Sequence, residues 1–309
     1  MSPRISRAII DRVRQAALAS AWVQWRALGV RLTASGRAKW IVDPEALVLI
    51  SLALREHERR LEDVLASWAR TGSGVLSLQR VKNLQSRYPR PTRERLAEFA
   101  QMAVSEGGDY RWRGMAGLTP GPRGRDRTLR DPHPKAWDPA ALMIRMRLGI
   151  GVGLSADILT YLLSQRGVWA SARAIAEATV YSVYSIRRAA DKMMQAGLVE
   201  GTGRKPVEYR ADPKAWSKVL AQDGDVPPWR HWSQAYAFVA DFLAQAEAGA
   251  LQAPSAFLLS SRLRDLIEKH QDALRLNRIA PPVAGRRPGE EYIAAVEQVA
   301  ENIARWMTS

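Results

Sequence analysis

The sequence predicts a mainly α, multi-domain helical protein. Apolar residues recur at helical spacing along nearly the whole chain, strand signal is confined to 198–200 and 207–210, and one Gly/Pro/Arg-rich stretch at 105–135 breaks the periodicity. With 309 residues, 47% of them hydrophobic and 25% charged, the chain is long enough for two or three cores.

The first helix is expected in "RAIIDRVRQAALASAWVQWRALG", where Ile9, Val13, Ala17, Ala21, Trp25 and Leu28 share a face and Gly29 is a stop. Asp43 is a good N-cap for the next, with Pro44 at the first helical position, where a missing N–H costs nothing. A helix through Leu61, Val64, Leu65 and Trp68 follows, then one opening at Ser77, and after "PRP" one running from Thr92 through Leu96, Phe99 and Met102. Residues 1–104 thus read as a basic helical N-terminal domain. Three of its helices, at 44–56, 58–69 and 77–88, can form a second helix-turn-helix, although a scaffold with a phosphate-binding face is the simpler form.

Residues 105–135, which include Arg111, Arg113, Arg123, Arg125, Arg127 and Arg130, read as a linker or extended arm. Residues 136–223 start with a helix at Asp138-Pro139 and continue through "SADILTYLLSQ". Beyond 224, helices at Ser233 to Ala248, Ser255 to about His270 and Glu290 to Met307 form a C-terminal domain for dimerisation, an effector or a partner protein. Trp229, Trp232, Tyr236 and Trp306 there are aromatics for a core or a pocket.

The net charge is +15, distributed as +9 over 1–104, +3 over 105–135, +4 over 136–223 and −1 over 224–309. An excess of this kind implies a polyanionic partner, met by a surface before residue 223. No apolar run is long enough to span a membrane and no signal peptide is visible, so a cytoplasmic protein is expected. The absence of cysteine excludes disulfides, a thiolate nucleophile and Cys-ligated zinc.

The stretch "SARAIAEATVYSVYSIRRAADKMMQAGLVEGTGRKPVEYR" carries the most information. Ser171 caps a helix with Ile175 and Ala178 inward, and a tight joint follows at Val180 to Ser182. Ser182 caps a further helix to Ala196 with Ile186, Ala190 and Met193 inward and Gly197 as its stop. The outward face offers Val183, Tyr184, Ser185, Arg187 and Arg188, then Lys192. Such residues can reach base edges and phosphates. Gly201 and Gly203 permit a turn whose tip presents Arg204 and Lys205, and Arg210 follows. Of the two tyrosines, Tyr184 is the contact candidate and Tyr181 the partial core residue.

Residues from about 155 to 216 resemble the winged helix-turn-helix domain of bacterial transcription regulators of the MarR and GntR kind. Ile175-Ala176, Ser182, Ile186 and Gly197-Leu198-Val199 fill its pattern, while Thr179 and Val180 depart from it, an aliphatic and often a Gly being usual there. The resemblance implies sequence-specific binding of double-stranded DNA by a regulator, a repressor in the first reading, acting as a homodimer associated with the nucleoid. Ser171 joins the DNA contacts on this reading, with Arg80, Lys82, Arg87, Arg123 and Arg125 as additional phosphate contacts. Two alternatives stay open: an antitoxin or defence-system regulator that binds a partner protein, and a replication or chromosome-organising protein.

Catalysis is not expected, nor a cofactor or a metal. His57, His133, His231 and His270 are isolated, no phosphate-cradling Gly-rich loop occurs, and the acids at 56, 58, 62 and 63 read as solvated helix faces.

Overall fold

The computed structural model describes residues 2–31, 36–117, 136–220, 226–282 and 289–309. The first helix, α1 (Arg7–Ala27), buries Val13, Ala17, Ala21 and Trp25, the face set by its apolar spacing. Asp43 caps α2 (Pro44–Leu54) by accepting from the Ala46 amide, with Pro44 at the start. Nearly every residue of α2 is buried, so it has no solvent face and must be covered all round. The helices α3 (Arg60–Thr71), α4 (Leu78–Gln85, capped by Ser77) and α5 (Arg90–Ser105) follow.

Residues 105–117, expected in the linker, are instead folded against α5. A 3-10 turn at Tyr110–Trp112 leads into α6 (Arg113–Ala116). Trp112 is fully buried with its ring edge-on to Phe99 at 5.3 Å. A large aromatic in a polar, Gly-rich stretch was the signal that this part packs rather than extends.

A 3-10 turn capped by Asp138 opens α7 (Leu142–Ile150), and α8 (Leu154–Ser164) follows. Then come β1 (Ala170–Ser171), α9 (Ala172–Thr179), α10 (Val183–Gln195), β2 (Glu200–Gly201) and β3 (Glu208–Arg210). The three strands form one antiparallel sheet in the order β1-β3-β2, with Ala170 opposite Tyr209 and Glu200 opposite Arg210. A short α11 (Ser217–Leu220) precedes the last helices, α12 (Trp232–Glu247), α13 (Ala256–Lys269), α14 (Gln271–Leu276) and α15 (Glu290–Thr308).

The segments 1–104 and 224–309 share a single hydrophobic core, although they are separate in the sequence reading. The helix α12 packs on α2, and α15, which buries Val296, Val299 and Ile303, packs along α1 and α13. The physical reason is the all-round apolarity of α2, which one set of neighbours cannot cover. A second core joins α7 through α10 to β3, centred on Leu159, Leu162, Ile175, Ile186 and Tyr209.

Candidate nucleic-acid interface

The joint between α9 and α10 is built by two serine caps and one unusual residue. Ser171 Oγ accepts from the Ala174 amide at 3.1 Å, and Ser182 Oγ accepts from the Ser185 amide at 3.1 Å. Between them Val180 lies in the left-handed region at φ 59°, ψ 40°, where a β-branched residue is strained by about 1–3 kcal/mol. Its surroundings hold it there. The Val180 carbonyl accepts from Asn83 Nδ2 at 2.7 Å, the Thr179 carbonyl accepts from Arg80 Nε at 2.9 Å, and the valine side chain packs on the larger core. The two departures from the family pattern are the two residues whose carbonyls α4 grips.

On α10, Ile186, Ala190 and Met193 are buried, and Tyr184, Arg187, Arg188, Asp191, Lys192 and Gln195 are exposed on the other side. Tyr184 is 74% exposed. Arg188 and Lys192 form no ion pair or side-chain hydrogen bond among the described residues, and the same holds for Arg204 and Lys205 at the tip of the β2–β3 loop. The tip is shaped by Gly203 at φ 64°, and Thr202 Oγ1 accepts from the Glu208 amide at 3.2 Å. At Gly201 a Cβ would lie 2.4 Å from Met194 Sδ, so the absent side chain lets β2 lie close on the end of α10. Tyr209 Oη donates to Asp191 at 2.7 Å and ties the sheet to α10, and burial together with that bond pushes its phenol up to about 12.

Four expected contact residues have other work. Ser171 and Ser182 spend their oxygens as caps, with Ser182 also donating to Ser185 Oγ at 2.8 Å. Val183 is half-buried and packs against the second core, which leaves little of it for a base. Arg210 pairs with Glu200 at 2.6 Å and lies over the Trp169 ring at 4.6 Å, so it braces the sheet instead of standing free.

Arg80 overturns the phosphate contact expected of it. Its side chain is wholly buried, donating from Nη2 to Asp43 Oδ2 at 2.6 Å and from Nη1 to Glu45 Oε2 at 2.5 Å. Arg147, which the sequence reading passes over, forks between Glu45 (Nη1 to Oε1, 2.6 Å) and Asp157 (Nε to Oδ1, 2.8 Å) and also donates to the Val75 carbonyl at 3.0 Å. Tyr181 completes the group, its Oη donating to Asp157 at 2.9 Å and lying 2.9 Å from Ser77 Oγ. Burial alone raises the Glu45 carboxyl, but Arg147, Arg80 and the Ser77 amide outweigh it and hold it below the usual carboxylate range. Burial likewise opposes charge on Arg80, yet Asp43, Glu45 and Asp157 drive its guanidinium above its ordinary value. The signal was present in the sequence. A lone Glu in "PEALVLISLAL", a lone Asp in "ADILTYLL" and an Arg in "MIRMRL" each sit inside an apolar run, where a charge survives only if paired.

The other cations expected at phosphates divide by position. Lys82 is exposed on α4. Arg87 lines a cleft of about 690 Å3 together with Asn83, Arg173, Ser182 and Val183, which brings it beside the start of α10. In the same cleft Glu177 pairs with Arg173 at 3.3 Å and with Arg275 at 3.1 Å. Arg123 and Arg125 lie outside the described residues. Among the described residues no group of His, Asp and Glu is arranged to hold a metal ion. Of the described histidines, His270 sits 2.9 Å from Asp241, to which Lys269 also donates at 2.6 Å.

No protein-family model, no curated protein and no solved structure matches this chain.

Proposed function

We propose that residues 155–216 are a winged helix-turn-helix that binds double-stranded DNA sequence-specifically, and that the chain is a transcriptional regulator, in the first instance a repressor. The order helix, strand, helix, turn, helix, strand, loop, strand supports this reading. A 13-residue helix with one open face, about 20 Å long, suits a major groove about 12 Å wide.

One observation carries the proposal. Arg188 and Lys192 on the open face of α10, and Arg204 and Lys205 at the loop tip, are exposed and unpaired among the described residues. Arginines such as Arg12, Arg55, Arg70, Arg90 and Arg95, by contrast, have carboxylate partners in the chain. Cations left without an internal partner on two adjoining elements fit an external polyanion. Tyr184 and Arg188, one helical turn apart, would read bases, while Lys192, Arg204, Lys205 and Arg87 would hold phosphates and set register.

The test is selection of bound duplexes from a random pool at two salt concentrations. An enriched sequence is expected, and an inverted repeat with half-sites about 10 bp apart would indicate a homodimer. Enrichment of no sequence, with affinity falling steeply as salt rises, would reduce the reading to phosphate binding alone.

A further inference from the structure

A cavity of about 270 Å3 lies between the end of α4, α12, the end of α13 and α14, with Ser86, Arg87, Lys269, His270 and Asp272 in its wall. It exceeds the roughly 150 Å3 that accepts a benzene ring, so a tetrahedral oxyanion fits. One part of the wall is a buried imidazole held in a fixed setting. His270 is 6% exposed, its ring stands edge-on to Phe238 at 5.8 Å, and its Nε2 donates to Asp241 Oδ2 at 2.9 Å. Burial pulls the Asp241 carboxyl up, but His270 and Lys269 outweigh it and hold it below the usual carboxylate range, which makes it the acceptor of that bond.

The bond to Asp241 decides what the other ring nitrogen can do. With the proton on Nε2, Nδ1 of the neutral ring is an acceptor. It makes no bond among the described residues, and unlike the sealed Nδ1 of His231 it keeps accessible surface, which in a residue lining this cavity opens into it. Asp272 offers a second acceptor, since Arg275 bonds only to its Oδ1, at 3.0 Å. The other wall residues are donors. Ser86 and Arg87 have no ion pair or side-chain hydrogen bond among the described residues, and Lys269 spends one of its three N–H groups on Asp241 at 2.6 Å.

We propose that this cavity binds inorganic phosphate in its hydrogen phosphate form. The bare oxygens meet Arg87, Lys269 and the Ser86 hydroxyl, and the P–OH donates to His270 Nδ1. Donors and acceptors in one wall fit an anion that carries both charge and a proton. Sulfate has the same shape but no proton at neutral pH, so it leaves Nδ1 unmet and sets a bare oxygen against Asp272. A phosphate monoester loses its last proton at about pH 6 and has the same defect at neutral pH. The site stands apart from the DNA reading: Arg87 also lines the cleft beside α10, yet phosphate binding is measured without DNA.

The experiment is calorimetric titration of the full-length protein at neutral pH with inorganic phosphate, sulfate and methyl phosphate in turn. Saturable binding of phosphate is expected, with sulfate and methyl phosphate each about tenfold weaker or more through the unmet Nδ1. Arg87→Ala should weaken phosphate about tenfold with no change in the thermal midpoint of the free protein. His270→Phe should abolish the preference for phosphate over sulfate, and if that variant does not fold, the ratio of the two anions on the parent protein still decides. Absence of heat for phosphate at millimolar concentration would overturn the proposal, as would sulfate or methyl phosphate bound as tightly as phosphate. So would phosphate binding that Arg87→Ala leaves unaltered, because it would then occur elsewhere on this basic chain.

Discussion

The Arg80 guanidinium donates from Nε to the carbonyl of Thr179, 2.9 Å away, at the point where α9 gives way to the turn into α10. The same guanidinium is held by Asp43 and Glu45 on the N-terminal side. The direction in which α10 leaves the body is therefore fixed by a buried charge network in addition to the turn's own backbone. Asn83, three residues further along α4, grips the next carbonyl, that of Val180.

Removing Arg80 should be severe. Arg80→Met deletes two carboxylate contacts and the Thr179 bond at once and leaves buried acids partly uncompensated, a change that costs about 3–5 kcal/mol. Denaturant unfolding checks this, and a loss below about 1 kcal/mol would mean that the network contributes little. Asn83→Ala is the milder companion, expected to cost about 1 kcal/mol and to weaken DNA binding by loosening the turn.

The two tyrosines at the joint should behave in opposite ways. Tyr181→Phe removes the hydroxyl that serves Asp157 and Ser77 and should lower stability by about 1–3 kcal/mol. Tyr184→Ala, on the open face, should leave the melting curve within about 0.5 kcal/mol of the parent and reduce DNA affinity instead. A melting scan beside a binding titration separates the two, and equal loss of stability in both variants would contradict the orientation of α10.

Arg188→Ala should cost about 1–3 kcal/mol of DNA binding and relax preference at the position it reads, whereas Lys205→Ala should weaken all sequences alike and lower the salt slope by about 1. Fluorescence anisotropy with matched and scrambled duplexes measures both. Unchanged affinity and preference in Arg188→Ala would show that α10 is not the reading element.

His231 should make the fold acid-sensitive well above the carboxylate range. Burial lowers its imidazole from the ordinary 6.5 to about 4, and Nδ1 has no partner among the described residues. The unfolded chain therefore takes up this proton at higher pH than the folded one. Stability is complete above about pH 6.5 and falls as pH drops toward 4, by about 3 kcal/mol in full. His231→Gln should flatten that slope in urea unfolding measured from pH 7 to pH 4, and an identical slope in the variant would place the titrating group elsewhere.

A second acid transition should come from Glu45, whose carboxyl is held below its ordinary 4.5 against the pull of burial by Arg147 and Arg80. A carboxylate of this kind contributes stability that is present above the ordinary value and is lost as pH falls through the lowered one. Glu45→Gln should remove that step and reduce stability at neutral pH, read from unfolding curves at pH 7 and pH 3.

Local order was determined by the sequence alone. The caps at Asp43, Ser77, Ser171 and Ser182, the joint at Val180 to Ser182, the inward Ile186, Ala190 and Met193 and the exposed Tyr184 all follow from spacing and cap chemistry, which act over a few residues. What tertiary structure decided is everything set by partners distant in sequence. Arg80 reads as a surface cation because its period and neighbours are those of one, and only the arrival of Asp43 and Glu45 from α2 takes it inside. Arg147 and Glu45 are 102 positions apart, a pairing that no local pattern encodes. The strand β1 is two residues long and exists through its pairing with β3, so it leaves no alternation to detect. The common core of the first and last helices was hidden for the same reason: apolar periodicity shows which face a helix must bury, and the choice of what covers it belongs to the folded chain.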